Sequence, residues 1–165
     1  MRQRFDFNPA SGIVPIENVK IPLKSRDELP ATLVGLQWIW SHPTLKEQIF
    51  GLLEKHIFSG KAATGRTGMD LWQILILGVT RLALDADWDR MEYLANYDSL
   101  LRQMLGVPQT PCGEPDKTFN HQTLRDNVAL LDEALLKEIN VLVVAAGRME
   151  FKRKRRRPTK RSSGD

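Results

Sequence analysis

The stretch that most constrains the fold is residues 69–84, MDLWQILILGVTRLAL, because almost every position in it is apolar. Apolar side chains recur at helical spacing, at Leu71, Ile74, Leu75, Val79 and Leu82. Further large apolar residues fill most of the remaining circumference, so a helix formed here must be buried. A membrane span needs about 20 apolar residues, and this stretch is shorter and carries Asp70 and Arg81. We therefore predict that it is the central helix of a soluble core.

Capping residues and apolar spacing predict five further helices around this one. They run from a cap at Ser25 or Asp27 to Trp40, from Pro43 to a stop at Ser59 and Gly60, from a cap at Asp87 to about Ala95, from Asp98 to Leu105, and from Asn120 to a stop at Gly147. The fold class expected is all-α, a bundle of five or six helices that contains a helix-turn-helix-like element.

The two ends of the chain differ in composition from its middle. Residues 1–24 contain three prolines and alternating apolar residues, which predicts an extended N-terminal arm. Residues 148–165 contain nine Lys or Arg and two acids, whereas residues 1–147 contain fifteen Lys or Arg and eighteen acids. The net charge of +4 therefore comes from the C-terminal segment, which repels itself and lacks a core. We expect an arm over 1–24, a helical domain over 25–147, and a disordered basic tail over 148–165.

Several functional classes are disfavoured by what the chain lacks. Its single cysteine, Cys112, excludes a disulfide framework and a cysteine zinc site, and is typical of a reducing cytoplasm. The N-terminus has no apolar run like that of a secretory signal, and no stretch qualifies as a transmembrane span. We accordingly expect a cytoplasmic protein without a membrane partner.

Two motif-like segments do not satisfy the chemistry they resemble. Residues 60–67 are similar to a phosphate-binding loop, but Arg66 replaces the required Lys and a helix, not a strand, precedes them. The acids at 85–89 open like a calcium loop, but Arg90 and Asn96 occupy the positions that need Gly and Glu. No histidine accompanies a nucleophile motif either. We predict no catalytic residue, no cofactor, no metal site and no small-molecule substrate in this chain, and an independent hydrolase is disfavoured.

Nucleic-acid binding has better support, from the helix that follows Phe119. In a helix-turn-helix the N-terminal residues of the second helix read bases, and helices 98–105 and 120–147 could supply that pair. The candidate contacts are Asn120, His121, Gln122, Thr123 and Arg125. The Asn, Gln and Arg side chains can bond base edges, and the His and Thr side chains can bond phosphate. The alternative is that Asn120 only caps its helix, while Gln122 and Arg125 form a solvated face beside Asp126.

The basic tail offers a second, less specific contact with nucleic acid. Six consecutive cations stand at Lys152, Arg153, Lys154, Arg155, Arg156 and Arg157. Such a run neutralises phosphates and gives affinity that is independent of sequence and sensitive to salt. The alternatives are a localisation-like basic run and a C-terminus without function.

Three segments in order resemble the N-terminal helical domain of bacterial insertion-sequence transposases of the ISNCY-like type. They are residues 65–70 (GRTGMD), residues 87–92 (DWDRME) with 95–106 (ANYDSLLRQMLG), and residues 119–127 (FNHQTLRDN). The resemblance covers roughly residues 4–147. It implies a protein of a mobile element that binds the terminal inverted repeats in DNA transposition and recombination. In the family, that domain presents the repeats to a metal-dependent Asp-Asp-Glu core with a ribonuclease-H-like sheet.

The chain departs from the family where that core would begin. The sequence switches abruptly to Lys and Arg before Asp165, which predicts a copy that is truncated or frameshifted before the core. No catalytic residue is carried over, and a divalent metal is expected only for a full-length relative. The partner expected is double-stranded DNA at the element ends, in a nucleoid-associated setting, with a homodimer as a further possibility. The alternatives are a protein-interaction or oligomerisation module, which the acidic body favours, and an inactive remnant that competes for element ends.

Overall fold

The computed structural model describes residues 3–5, 13–58, 68–108 and 118–156, and these segments are helical with no strand. A short 3-10 turn at Ile16–Asn18 precedes seven α-helices within them. The helices are α1 (Glu28–Trp40), α2 (Pro43–Phe58), α3 (Leu71–Leu84), α4 (Trp88–Tyr97), α5 (Ser99–Leu105), α6 (His121–Val128) and α7 (Glu133–Arg156). The all-α prediction is confirmed, with more helices than the five or six expected.

Helix α3 is the centre of the bundle, as its apolar circumference predicted. It packs against α1, α2, α4, α5 and α6, and its residues from Leu71 to Gly78 are all buried. Its two polar groups near the start are satisfied inside the core, because the Trp72 indole N–H donates to the Met104 carbonyl at 3.0 Å and the Gln73 amide donates to the Leu105 carbonyl at 3.0 Å. These two bonds fix the end of α5 against α3 without leaving a buried donor unpaired.

The described parts of the N-terminal arm lie against the bundle. The first two N–H groups of α3 donate to the carbonyl oxygens of Gln3 and Arg4, each at 3.0 Å. The arm thus satisfies donors that the start of a helix leaves without an intrahelical partner. The Phe5 ring meets the Trp40 ring edge-on and lies where a side chain at Gly106 would project. Gly106 ends α5 with a φ of 67°, in the left-handed region, so a larger residue there would meet both strain and Phe5.

An ion pair joins the same arm to α2. The Arg4 guanidinium donates to the carboxylates of Glu47 and Glu54, which lie two turns apart on that helix. The hydrogen bond from Arg4 lowers the pKa of Glu47 and the bonds from both carboxylates raise the pKa of Arg4. Arg4 and Glu47 therefore remain charged at neutral pH, and the ion pairs fix the position of the arm along α2.

The predicted single helix over 120–147 is two helices, which corrects the sequence-based boundary. The Asp132 carboxylate accepts from the Leu135 N–H at 2.8 Å and so caps a new helix, α7, after a short turn. The apolar spacing continues across the break because Leu124, Val128, Leu131 and Leu135 are buried on both sides of it. Apolar periodicity alone therefore concealed a boundary that the capping residue marks.

The C-terminal boundary is also corrected. Helix α7 continues through Gly147, the predicted stop, to Arg156, so residues 148–156 of the predicted disordered tail are helical. Glu150 gives the physical reason, because its carboxylate accepts from the Trp38 indole N–H at 3.1 Å and pairs with Lys154 at 3.0 Å. One of these contacts ties α7 to α1, and the other is a stabilising pair one turn apart along α7. Residues 157–165, including Arg157, lie outside the described residues.

Candidate nucleic-acid interface

The first turn of α6 presents its polar side chains to solvent. Asn120, Gln122, Thr123 and Arg125 are exposed, and His121 is partly exposed. The apolar side of the same helix is anchored, since Leu124 is fully buried and Val128 is 7% exposed where α6 packs against α3 and α4. The structure thus brings all five predicted candidates of this segment to one end of one short helix.

Asn96 on α4 fixes the residue from which α6 starts. Its side-chain NH2 donates to the Phe119 carbonyl at 2.7 Å, and its carbonyl oxygen accepts from the Phe119 N–H at 2.6 Å. Because Asn96 and Phe119 are both buried, this two-point bond replaces water at both backbone groups. Sequence reasoning missed Asn96. The sequence does contain one indication of its role, since Asn96 is a polar residue directly after Leu94 and Ala95, within the buried face of α4.

The position of α6 does not depend chiefly on α5, the helix with which the sequence analysis paired it. Helix α6 packs on α3 and α4, whereas α5 packs on α1, α3 and α4. The guanidinium of Arg102, a buried residue of α5, donates hydrogen bonds to the backbone carbonyls of Ala95, at 2.9 Å, and Pro108, at 2.7 Å. These bonds fix the exit from α5, and residues 109–117 of the connection lie outside the described segments. The helix-turn-helix-like element stays a prediction, and α4 is the helix that supports the candidate reading helix.

Hydrogen bonds within α6 occupy part of the predicted reading surface. The Asn120 side-chain oxygen accepts from the Thr123 N–H at 2.7 Å, so Asn120 is the N-cap. The Gln122 amide donates to the Asp126 carboxylate at 2.7 Å one turn later. Both bonds agree with the alternative interpretation, in which Asn120 caps the helix and the side chains after it form a solvated face. They also leave the Asn120 amide NH2 and the exposed Arg125 guanidinium as donors directed away from the core.

The electrostatic balance at this end of α6 is mixed. The His121 Nε2 atom lies 3.8 Å from an Asp89 carboxylate oxygen on α4, and Asp126 stands beside Arg125 in the sequence. Two carboxylates thus accompany one permanent cation. The tip of α6 therefore attracts the DNA phosphates only weakly. Any selective contact there must come from hydrogen bonds to base edges.

The basic end of α7 supplies the positive charge that the α6 tip lacks. Residues 151–156 are all exposed and helical, and five of the six predicted tail contacts lie among them, namely Lys152, Arg153, Lys154, Arg155 and Arg156. In a helix these cations point in different directions around the axis. Lys154 is held by Glu150, and the Arg155 guanidinium lies 5.9 Å from the centre of the Phe151 ring. The basic segment is an ordered rod and not a flexible tail up to Arg156.

Glu150 is the group that holds this rod on the bundle. Its hydrogen bond from Lys154, together with that from the Trp38 indole and the nearby His42, keeps the pKa of the carboxyl below its usual range. The His42 Nε2 atom lies 3.3 Å from the Glu150 carboxylate, and the His42 ring packs on the Trp38 ring at 4.2 Å. The ionised carboxylate therefore links α7 to the junction of α1 and α2.

Among the described residues, no group of three or more His, Cys, Asp or Glu side chains is placed to hold a metal ion. No helix in these segments is both long enough and apolar enough to cross a bilayer.

Comparison with known proteins gives no match to this chain from any family model, curated protein or solved structure.

A first prediction concerns Glu150. Glu150→Gln removes the charge that Lys154 and His42 face, and amide hydrogen exchange at residues 148–156 should accelerate several-fold at pH 7. Because the pKa of Glu150 is lowered from 4.5, the restraint in the native protein is complete above that pH and is lost as the pH falls through the folded-state pKa.

The matched control is Asp126→Asn, which alters an exposed carboxylate that accepts a hydrogen bond one turn away, from Gln122, within α6. Exchange at 148–156 should be unchanged in this variant. Equal exchange in Glu150→Gln and in the native protein would contradict the anchoring role.

Proposed function

We propose that this chain is the DNA-binding N-terminal domain of a transposase. It recognises the terminal inverted repeats of a mobile element in DNA transposition. Its partner is double-stranded DNA at the element ends, in the nucleoid-associated cytoplasm. The proposal rests on the resemblance of residues 65–70, 87–106 and 119–127 to that family and on the exposed position of the last of these segments.

The observation that carries the proposal is the exposed first turn of α6 on a rigid support. Five consecutive or near-consecutive polar side chains project from a helix end whose backbone is fixed by Asn96 and whose apolar side is buried. Direct recognition of bases needs side chains on a rigid support, because a contact distinguishes one base from another only when its geometry is fixed. A bidentate contact from Gln to adenine or from Arg to guanine contributes about 1–3 kcal/mol of discrimination.

The basic end of α7 supplies general affinity on this proposal. Its exposed cations release counterions from the DNA backbone and raise the encounter rate. Selectivity then comes from α6, and attraction comes from α7. This division accounts for a domain body whose net charge, over residues 1–147, is −3.

A second prediction concerns the reading residues. A duplex motif selected by the chain from a random pool should be bound about tenfold more weakly after Arg125→Ala, the loss expected for one base contact. Binding to a scrambled duplex should change little. Fluorescence anisotropy with both duplexes measures the two effects separately.

Arg26→Ala is the control, because it removes an exposed positive charge that precedes α1 and lies outside the α6 tip. If Arg125→Ala and Arg26→Ala weaken both duplexes equally, the α6 tip does not read sequence. Failure of the selection to enrich any motif would leave only charge-driven binding.

A third prediction concerns the basic end of α7. Replacing Lys152, Arg153, Arg155 and Arg156 with Gln leaves Lys154 in place, so its pair with Glu150 still holds the helix. The slope of log K against log salt should then become shallower by about three units, since each phosphate contact contributes about 0.9. An unchanged slope in a titration from low to moderate salt would show that this rod does not touch DNA.

A further inference from the structure

One face of α7 carries apolar side chains that nothing in the described part of the chain covers. On this face Val141 is 66% and Val144 is 41% exposed, and Met149 at 73% and Phe151 at 63% lie on its two flanks. Val141, Val144, Ala145 and Arg148 follow a helical repeat that places them on the side opposite to Leu135 and Ile139, which are buried. The exposed apolar face therefore runs along the middle of the helix, where contact between two helices buries most surface.

A groove continues this face towards α2. It has a volume of about 500 Å³ and lies between the two helices, with Leu52 and Gly51 on the α2 side and Leu142 and Val141 on the α7 side. A side chain at Gly51 would meet no atom within 4 Å, so the floor of the groove is open. An apolar side chain from a neighbouring helix would fit beside Val141.

The rest of this chain does not offer a segment to cover the face. The stretches that the structure does not describe are 1–2, 6–12, 59–67, 109–117 and 157–165, and Met1 and Phe7 are the only large apolar side chains in them. Two isolated side chains near the N-terminus cannot bury four exposed apolar residues spread over three turns of α7. Residues 1–165 thus offer no cover for this face, which leaves it open to a second molecule.

The charges of α7 indicate what that molecule is. Near the start of the helix two acids, Glu133 and Glu138, outnumber Lys137, with Glu133 paired to Lys137 and Glu138 beside His56. By contrast, Arg148 and Lys152–Arg156 make the last turns strongly basic. Two copies of α7 placed antiparallel bring the acidic end of each against the basic end of the other. A parallel pair would instead place like charges together, which is unfavourable.

We propose that the α7 face is the interface of a homodimer in which two α7 helices pack antiparallel about a two-fold axis near Val144 and Ala145. In this register Val141 of one copy packs beside Arg148 of the second copy, and Glu133 lies level with Arg156. Met149 of the second copy lies level with Asn140 and Val141, and so reaches the groove between α2 and α7. The same patch serves both copies, as a closed two-fold interface requires. This inference rests on α7 and α2 alone and is independent of DNA binding.

Sedimentation of the full chain without DNA tests the proposal. The native protein should change from monomer to dimer between about 1 and 100 µM, the range in which modest interfaces dissociate. Val144→Asp should remain monomeric throughout, because it places a carboxylate at the two-fold axis. The control Leu82→Asp alters a residue that is 57% exposed on α3 and should dimerise like the native protein. Far-UV circular dichroism verifies that both variants are folded.

The orientation of the helices has its own test, which does not depend on whether Val144→Asp folds. In a Cys112→Ser background, Ala145→Cys should form an intermolecular disulfide, since a disulfide needs Cα atoms about 4–7 Å apart. Ala134→Cys should not, because antiparallel packing separates the two copies of that residue by about 30 Å at 1.5 Å per residue. A parallel pair would cross-link at both positions.

The charge pairing is tested by reversal. Glu133→Lys should raise the dimer dissociation constant about fivefold, since it replaces the attraction to Arg156 of the second copy by repulsion at two symmetric places. Equal dissociation constants for this variant and the native protein would overturn the pairing. A native protein that is monomeric over the whole concentration range, or a dimer that survives Val144→Asp, would overturn the interface itself.

Discussion

The structure depends on the removal of α3 from water. Eight consecutive residues of this helix, Leu71–Gly78, are buried, so no side of this part of α3 can serve as a surface. Burial of apolar area contributes about 25 cal/mol per Å², and a helix apolar all round gains this only if neighbours surround it. The other helices and the arm are arranged accordingly, with α1, α2, α4, α5 and α6 in direct contact with α3.

Once α3 is enclosed, buried polar groups set the positions of the outer elements. Trp72 and Gln73 fix the end of α5, Arg102 fixes its exit, and Asn96 fixes the start of α6. Each bond satisfies a backbone group that could not reach water, so its loss would leave a buried donor or acceptor unpaired. The exposed tip of α6 is a consequence of this scheme, because its support comes from α4 and its polar side chains face outward.

Sequence reasoning identified features that act locally. The cap at Asp87 and the burial of the apolar residues from Leu71 to Leu77 follow from the preferences of single residues or of one helical repeat, and the structure confirms them. The end of the predicted buried stretch is wrong, since Leu82 is 57% exposed. The errors came from non-local contacts. Nothing near residue 147 in the sequence shows that Glu150 meets Trp38, more than a hundred positions earlier, and this contact helps α7 continue to Arg156.

The same distinction applies to the candidate site. Residue type and position indicated Asn120, His121, Gln122, Thr123 and Arg125, and the structure places them together at the exposed end of α6. Their support by Asn96 was not predictable, since a polar residue within a helix has no recognisable partner 23 positions away. The exposed face of α7 was also missed, because the predicted stop at Gly147 ended the helix before its basic turns.

The most direct test of the account is a backbone amide NMR titration of the labelled chain with the duplex that it selects. The account predicts that the largest shift changes fall on residues 120–126, with a second set at 152–156 that also arises with a scrambled duplex. Changes confined to 152–156 with both duplexes would contradict it, because DNA would then contact only the charged rod and the α6 tip would play no part in recognition.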